Sequence, residues 1–196
     1  WGVSLGRGNI VDQGNFLRPD ERTPFITSHN PAVQLAKTLG RTYFPGATSL
    51  GPLASQLPPI KIGDQQTTIE TMPLPADPSD PESRADPWGS YALVVERSGP
   101  EGPVLQPIII VQRLANTSRD SWLIADPGRT VPNEEDPRGP FSIAVLVEAG
   151  WPVDEDIAIT DDVSGAALVV IGDSVFAANR DFNNADNGTL FLNSVN

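Results

Sequence analysis

The stretch Ala166-Ala167-Leu168-Val169-Val170-Ile171-Gly172-Asp173-Ser174-Val175-Phe176-Ala177-Ala178 decides the first reading of the fold. Six consecutive apolar residues run into Gly-Asp-Ser, and a helical turn is expected after it. A strand with apolar residues on both faces needs cover on both faces, as helices provide in an α/β sheet. Upstream, Tyr91–Val95, Pro107–Val111 and Phe141–Val147 read the same way. The expectation is therefore an α/β fold with a layered mixed or parallel sheet.

Helices are expected at two places. Asn30-Pro31 opens the first: Asn is a good N-cap and Pro suits the first turn. Val33, Leu35, Ala36 and Leu39 supply its apolar face, and Gly40 stops it. The second starts near Asn187, with Leu190, Phe191, Leu192 and Val195 apolar. Thr42–Phe44 and the stretch 47–53 read as short strands. From Pro73 to Pro87 the chain is rich in Pro, Asp, Ser and Glu and reads as an exposed loop. The expected organisation is one domain over residues 1–196, with a Pro-rich loop or insertion around 55–105. Asp86-Pro87-Trp88-Gly89 and Asp136-Pro137-Arg138-Gly139 each precede a strand, and read as two turns of like chemistry.

Composition removes several classes of function. The 196 residues include 20 Pro and 17 Gly, no Cys and one His, with a formal net charge of -12. Without Cys there is no disulfide, thiolate nucleophile or Cys-ligated metal. The acidic balance argues against nucleic acid as a partner. No cofactor or metal is called for. The acidic runs at 133–136, 154–156 and 161–162 lack calcium-loop spacing and read as solvated loops. No apolar run of 18 residues is present. The chain starts at Trp1 and stops at Asn196 within an apolar helix, so it reads as part of a longer protein.

Asp173, Ser174 and Asn179 are the candidate ligand-binding residues, because ligands in open α/β sheets gather at the carboxyl ends of strands. The plainer reading is that Asp173 and Ser174 cap the following turn. Gly-Asp-Ser also marks a class of serine esterases, but those carry it near the start of the domain with Asp-x-x-His near the end. Here the triplet is late and His29 is early, so no catalytic residue is assigned. His29 reads as a neutral hydrogen-bonding residue, and Trp122 as a core plug at a strand edge.

Several segments, in order, resemble one family. Asn9-Ile10-Val11-Asp12 is similar to an early strand of that family. Ile26–Pro31 (ITSHNP), followed by Phe44–Leu50 (FPGATSL), is similar to its next conserved stretch. Leu114–Trp122 (LANTSRDSW) resembles its L-x-x-T-S-x-x-S-W motif, and Asp136–Pro140 (DPRGP) its D-x-x-G-P. Val169–Asn179 (VVIGDSVFAAN) with Leu190–Asn196 (LFLNSVN) resembles V-V-x-G-D-S-D-F-x-x-N and L-F-L-N-x-V-N. Val175 departs from the Asp of that pattern. The family is the GldG-like auxiliary component of an uncharacterised ABC-type transport system, associated in some bacteria with gliding motility. The ordered motifs cover most of the chain except about 55–105.

The resemblance implies a flavodoxin-like or class I glutamine-amidotransferase-like fold lacking its N-terminal part. It implies a domain on the extracytoplasmic (periplasmic) face of the bacterial inner membrane, anchored by transmembrane helices outside these residues. The function implied is non-enzymatic binding or interaction. ABC permease and ATPase subunits are the implied partners, and an extracytoplasmic ligand is a further one. The missing first half of the sheet leads us to expect a homodimer of the fragment. The alternatives from other classes are a serine- or carboxylate-dependent hydrolase at the strand ends and a carbohydrate-binding module carried by the four Trp residues.

Overall fold

A computed structural model describes residues 2–53, 58–62, 65–75, 84–99, 102–149, 167–178 and 180–195. In chain order the strands are β1 (Val3–Leu5), β2 (Asn9–Asp12), β3 (Phe16–Leu17), β4 (Asp20–Ile26), β5 (Thr42–Tyr43), β6 (Leu50–Pro52) and β7 (Ile60–Ile62). They continue with β8 (Gln65–Thr67), β9 (Ile69–Pro73), β10 (Tyr91–Gly99), β11 (Gly102–Asn116), β12 (Ser121–Ile124), β13 (Ser142–Ala149) and β14 (Ala167–Ile171). One α-helix, α1 (Asn187–Val195), stands among the described residues.

The protein is mostly antiparallel β, which corrects the expectation of an α/β layered sheet. The clearest reason lies between β10 and β11. The apolar runs Tyr91–Val95 and Pro107–Val111 mark only the centres of these strands. Both strands continue through the residues between these runs, Glu96 facing Leu105, Ser98 facing Pro103 and Gly99 facing Gly102. Only two residues are left to turn the chain, whereas a parallel crossover needs about a dozen. Gly102 has φ +130°, a conformation that residues with a Cβ rarely adopt.

The chain divides into two compact units. The first comprises residues 1–4, 52–112 and 146–168. Its spine is the antiparallel order β9-β10-β11, with Ala92 facing Met72 on one side and Ile110 on the other. Tyr91 to Val95 are all buried, as a central strand requires. β7 and β8 form a separate antiparallel pair. The stretch 55–105 therefore holds β7 to β10 and the start of β11. The described part of the expected loop is tied at its base: Leu74 N–H donates to Ser90 O at 3.0 Å, and Asp86 N–H to Leu74 O at 2.8 Å.

The second unit comprises residues 5–51, 113–145 and 169–196. It contains the antiparallel pair β2–β12 and the small sheet β3-β4-β5. Its core gathers Ile10, Phe44, Leu114, Ile124, Ile143 and Leu190, each at most 2% exposed. The helix expected after Asn30-Pro31 is only a 3-10 turn, Gln34–Ala36. The Asn30 side chain is engaged instead in a local turn and a long-range tie. Its Oδ1 accepts from Ala32 N–H at 3.0 Å, and its Nδ2 donates to Arg113 O at 2.9 Å. The short strands expected near 42 and 50 and the helix at Asn187 are present.

The two Asp-Pro-x-Gly segments are built differently. Asp86 caps a turn, accepting from Trp88 and Ser90 N–H at 3.1 Å each. Asp136 instead pairs with Arg129, and Arg138 forms an isolated bridge with Trp122. The chemistry of the tetrapeptide alone does not fix its conformation.

Candidate functional site

β14 ends against the second unit's core. Gly172 N–H donates to Ile143 O at 2.9 Å, and Gly172 O accepts from Thr48 N–H at 2.7 Å. A Cβ at this position would run into the Thr48 carbonyl oxygen, so the close approach needs glycine. This seating delivers Asp173 to a covered position, 7% exposed. Its Oδ1 accepts from Val175 N–H at 2.7 Å and shapes the turn that follows. Its Oδ2 is buried without a hydrogen-bond partner. Ser174, the next residue, points into solvent exposure.

Burial is the main cause that pushes the Asp173 carboxyl up, to about 6. The Val175 and Phe176 backbone N–H groups pull the other way, and the charge of Asp181 pushes it further up. Asp181 is itself only 5% exposed. It accepts a long hydrogen bond from the Tyr43 hydroxyl, 3.4 Å, and faces Arg180 Nε at 3.2 Å. Burial likewise raises the Tyr43 phenol. Phe176 packs its ring on Phe44, centroids 6.1 Å apart, and closes the apolar side of the turn.

Asn187, at the start of α1, completes the arrangement. It is fully buried. Its Oδ1 accepts from Tyr43 N–H at 3.1 Å, and its Nδ2 donates to Tyr43 O and Phe176 O, each at 3.0 Å. The neighbouring Asp186 Oδ2 accepts from Gly40 and Arg41 N–H at 2.9 and 2.8 Å. One short strand is thus held by side chains more than 140 residues away.

His29, in the segment after β4, contacts the same strand at Thr42. Its Nε2 lies 2.8 Å from Thr42 Oγ1. Adjacent strand residues project to opposite faces, so Thr42 and Tyr43 carry His29 and Asp181 on different sides. Burial lowers the His29 pKa against the opposing pull of Asp186, which favours the neutral ring. Among the described residues, no hydrogen bond joins His29 to Asp173 or Ser174. Asn179, the third candidate, lies outside the described residues, as do the acidic runs 154–156 and 161–162.

A second polar hub braces β2. Asp12 is fully buried at its end. Oδ1 accepts from Gly14 N–H at 3.0 Å, from Asn15 N–H at 2.9 Å and from the Ser118 hydroxyl; Oδ2 accepts from Ser118 N–H at 2.9 Å. Next to it, Thr117 Oγ1 and Ser121 Oγ are 2.7 Å apart, and Phe141 N–H donates to Thr117 Oγ1 at 2.8 Å. Asp12, Thr117, Ser118 and Ser121 fall in two motif-like segments far apart in the chain. Only the structure shows that they touch.

The remaining candidates are structural. In the acidic run 133–136, Asp136 makes a two-pronged contact with Arg129, which holds its carboxyl below the usual range. No group of three metal-ligating side chains forms among the described residues. Trp122 is half-buried, with the Arg138 guanidinium over its ring at 5.2 Å. That contact occupies a face a sugar would need. No helix of the described residues is long and apolar enough to cross a membrane.

Comparison with family models, with curated proteins and with solved structures finds no match to this chain.

Proposed function

We propose that this chain is a non-enzymatic interaction domain of a GldG-like auxiliary protein in a bacterial ABC-type transport system. It would lie on the extracytoplasmic face of the inner membrane, held there by anchors outside these residues. The observation that carries the reading is how the motif residues are used. Asp12 is bonded to Ser118, Gly139 to Ser121, and Thr48 to Gly172. Segments that resemble the family in sequence order thus brace one another within a single unit. Motif residues spent on bracing the fold in this way support an interaction domain rather than a reaction centre.

The partners proposed are the permease and ATPase subunits of the same system, together with an extracytoplasmic ligand. Affinity purification of the full-length parent from detergent-solubilised native membranes tests this. Permease and ATPase subunits should be recovered with it. A parent recovered without either subunit contradicts the assignment.

One observation favours a second reading, a carboxylate- or serine-dependent hydrolase. Asp173 carries a raised pKa of about 6 beside the exposed Ser174. Groups tuned in this way cluster at reactive sites. Against it, Ser174 has no His partner among its described contacts, and Asp173 is already bonded to Val175 N–H. Ser174→Ala should leave stability within about 0.5 kcal/mol of the parent chain, as for an ordinary surface change. Neither protein should hydrolyse nitrophenyl esters above background. Turnover that disappears with Ser174→Ala would establish the hydrolase.

A further inference from the structure

We propose that residues 186–195 form an exchangeable strap over the outer edge of β5, and that the partner this edge fits is the same strap from a second copy of the chain. The proposal is independent of the transport-system assignment. β5 is the last strand of the sheet β3-β4-β5, so among the described residues no strand lies beside its outer edge. Arg41 and Tyr43, two residues apart, turn their backbone groups to that edge, in the alternation of a strand. The strap takes all four groups. Arg41 N–H donates to Asp186 Oδ2 at 2.8 Å, and Arg41 O accepts from Asp186 N–H at 2.7 Å. Tyr43 N–H donates to Asn187 Oδ1 at 3.1 Å, and Tyr43 O accepts from Asn187 Nδ2 at 3.0 Å. The Asn187 carboxamide thus stands in for the peptide group of a neighbouring strand. A bare edge of this kind is a template for pairing with another chain.

Few further contacts hold the strap. Asn187 Nδ2 also donates to Phe176 O, and Asn193 Nδ2 to Leu35 O at 2.9 Å. Leu190 is buried, and Phe191 meets Phe182 edge-on with ring centroids 5.8 Å apart. A strap from a second copy carries the same groups and makes the same links. Apart from the cost of bringing two copies together, the closed and exchanged forms differ at the hinge.

That hinge is Ala185. Its φ is +48°, and it is the one residue other than glycine with positive φ among the described residues. A residue with a Cβ is strained in this left-handed region. Its side chain is exposed, so no packing of its own holds it there. The strap needs this bend to lie on its own β5. A strap that reaches a second copy straightens at Ala185 and releases the strain. Short strained hinges favour exchange for this reason.

Light scattering on the 196-residue chain, after incubation at high concentration, tests the exchange. The parent chain should form a concentration-dependent dimer. Ala185→Gly accepts positive φ without strain and should lower the dimer association constant at least about tenfold. Ala185→Val is β-branched and more strained when closed, and should raise it by about the same factor. The position is exposed, so both variants keep their contacts. A crosslink identifies the exchanged element. The chain has no Cys, and Asn193 Nδ2 lies 3.4 Å from Thr38 Oγ1. In the double variant Thr38→Cys/Asn193→Cys, oxidation should join the two copies of the dimer fraction covalently. A parent chain and Ala185→Val that stay monomeric at every concentration would overturn the proposal. So would a dimer indifferent to both substitutions at Ala185, or one whose disulfides stay within each copy.

Discussion

Asp12→Ala should destabilise the second unit by about 4 kcal/mol and lower its unfolding midpoint by about 10 °C. Asp12 is fully buried at the end of β2 and accepts from three backbone N–H groups and one hydroxyl. Removing its carboxylate leaves Gly14, Asn15 and Ser118 donors without their acceptor in a covered site. A buried donor left unpaired costs about 1–3 kcal/mol, and the losses do not sum fully because the loop relaxes. Asp12→Asn keeps one acceptor oxygen but turns an amide group toward the other donors. It should lose about half as much. Urea unfolding followed by tryptophan fluorescence measures both variants. A loss below about 1 kcal/mol for Asp12→Ala would show that Asp12 is not a brace.

The second large effect is expected at Asn187. Asn187→Ala should cost about 3 kcal/mol and release α1 from β5. The side chain is fully buried and makes three hydrogen bonds, with both its amide nitrogen and its oxygen in use on the Tyr43 backbone. Ala cannot supply either. Two carbonyls, of Tyr43 and Phe176, and one N–H would lose their partner together. Leu190 is the well-buried apolar anchor of α1, whereas Leu192 and Val195 are exposed. Docking of α1 therefore rests on this polar clamp together with one buried apolar anchor. Helical circular dichroism and exchange protection over 187–195 should both fall in the variant. Unchanged protection of α1 would mean that Leu190 alone suffices to dock it.

These two residues also show what the sequence could and could not reveal. The apolar runs at Tyr91–Val95 and Phe141–Val147 are strands because such residues pack well on a pleated surface. Run length says nothing of direction, however. The antiparallel pairing out to Gly99 and Gly102 runs through polar residues whose alternation is weak, and the layered α/β reading fails there. The helix after Asn30 failed for a related reason. A capping residue was read from its local preference, but Asn30 reaches Arg113 in another part of the chain.

Gly172 and Asp173 were legible as a strand end followed by a turn. The burial of Asp173 was not, because the preceding Gly172 is seated against Thr48 and Ile143, which lie far along the chain. Asp12 and Ser118 each fell in a motif-like segment, yet spacing along the chain cannot show a contact across 106 residues.

These separated segments brace one another through side chains such as Asp12 and Ser118. A double-mutant cycle on Asp12 and Ser118 tests this most directly. Asp12→Ala, Ser118→Ala and the double variant are unfolded in urea under identical conditions. The braced arrangement predicts a coupling of about 1.5 kcal/mol between the two side chains. Effects that add to within about 0.5 kcal/mol would contradict it.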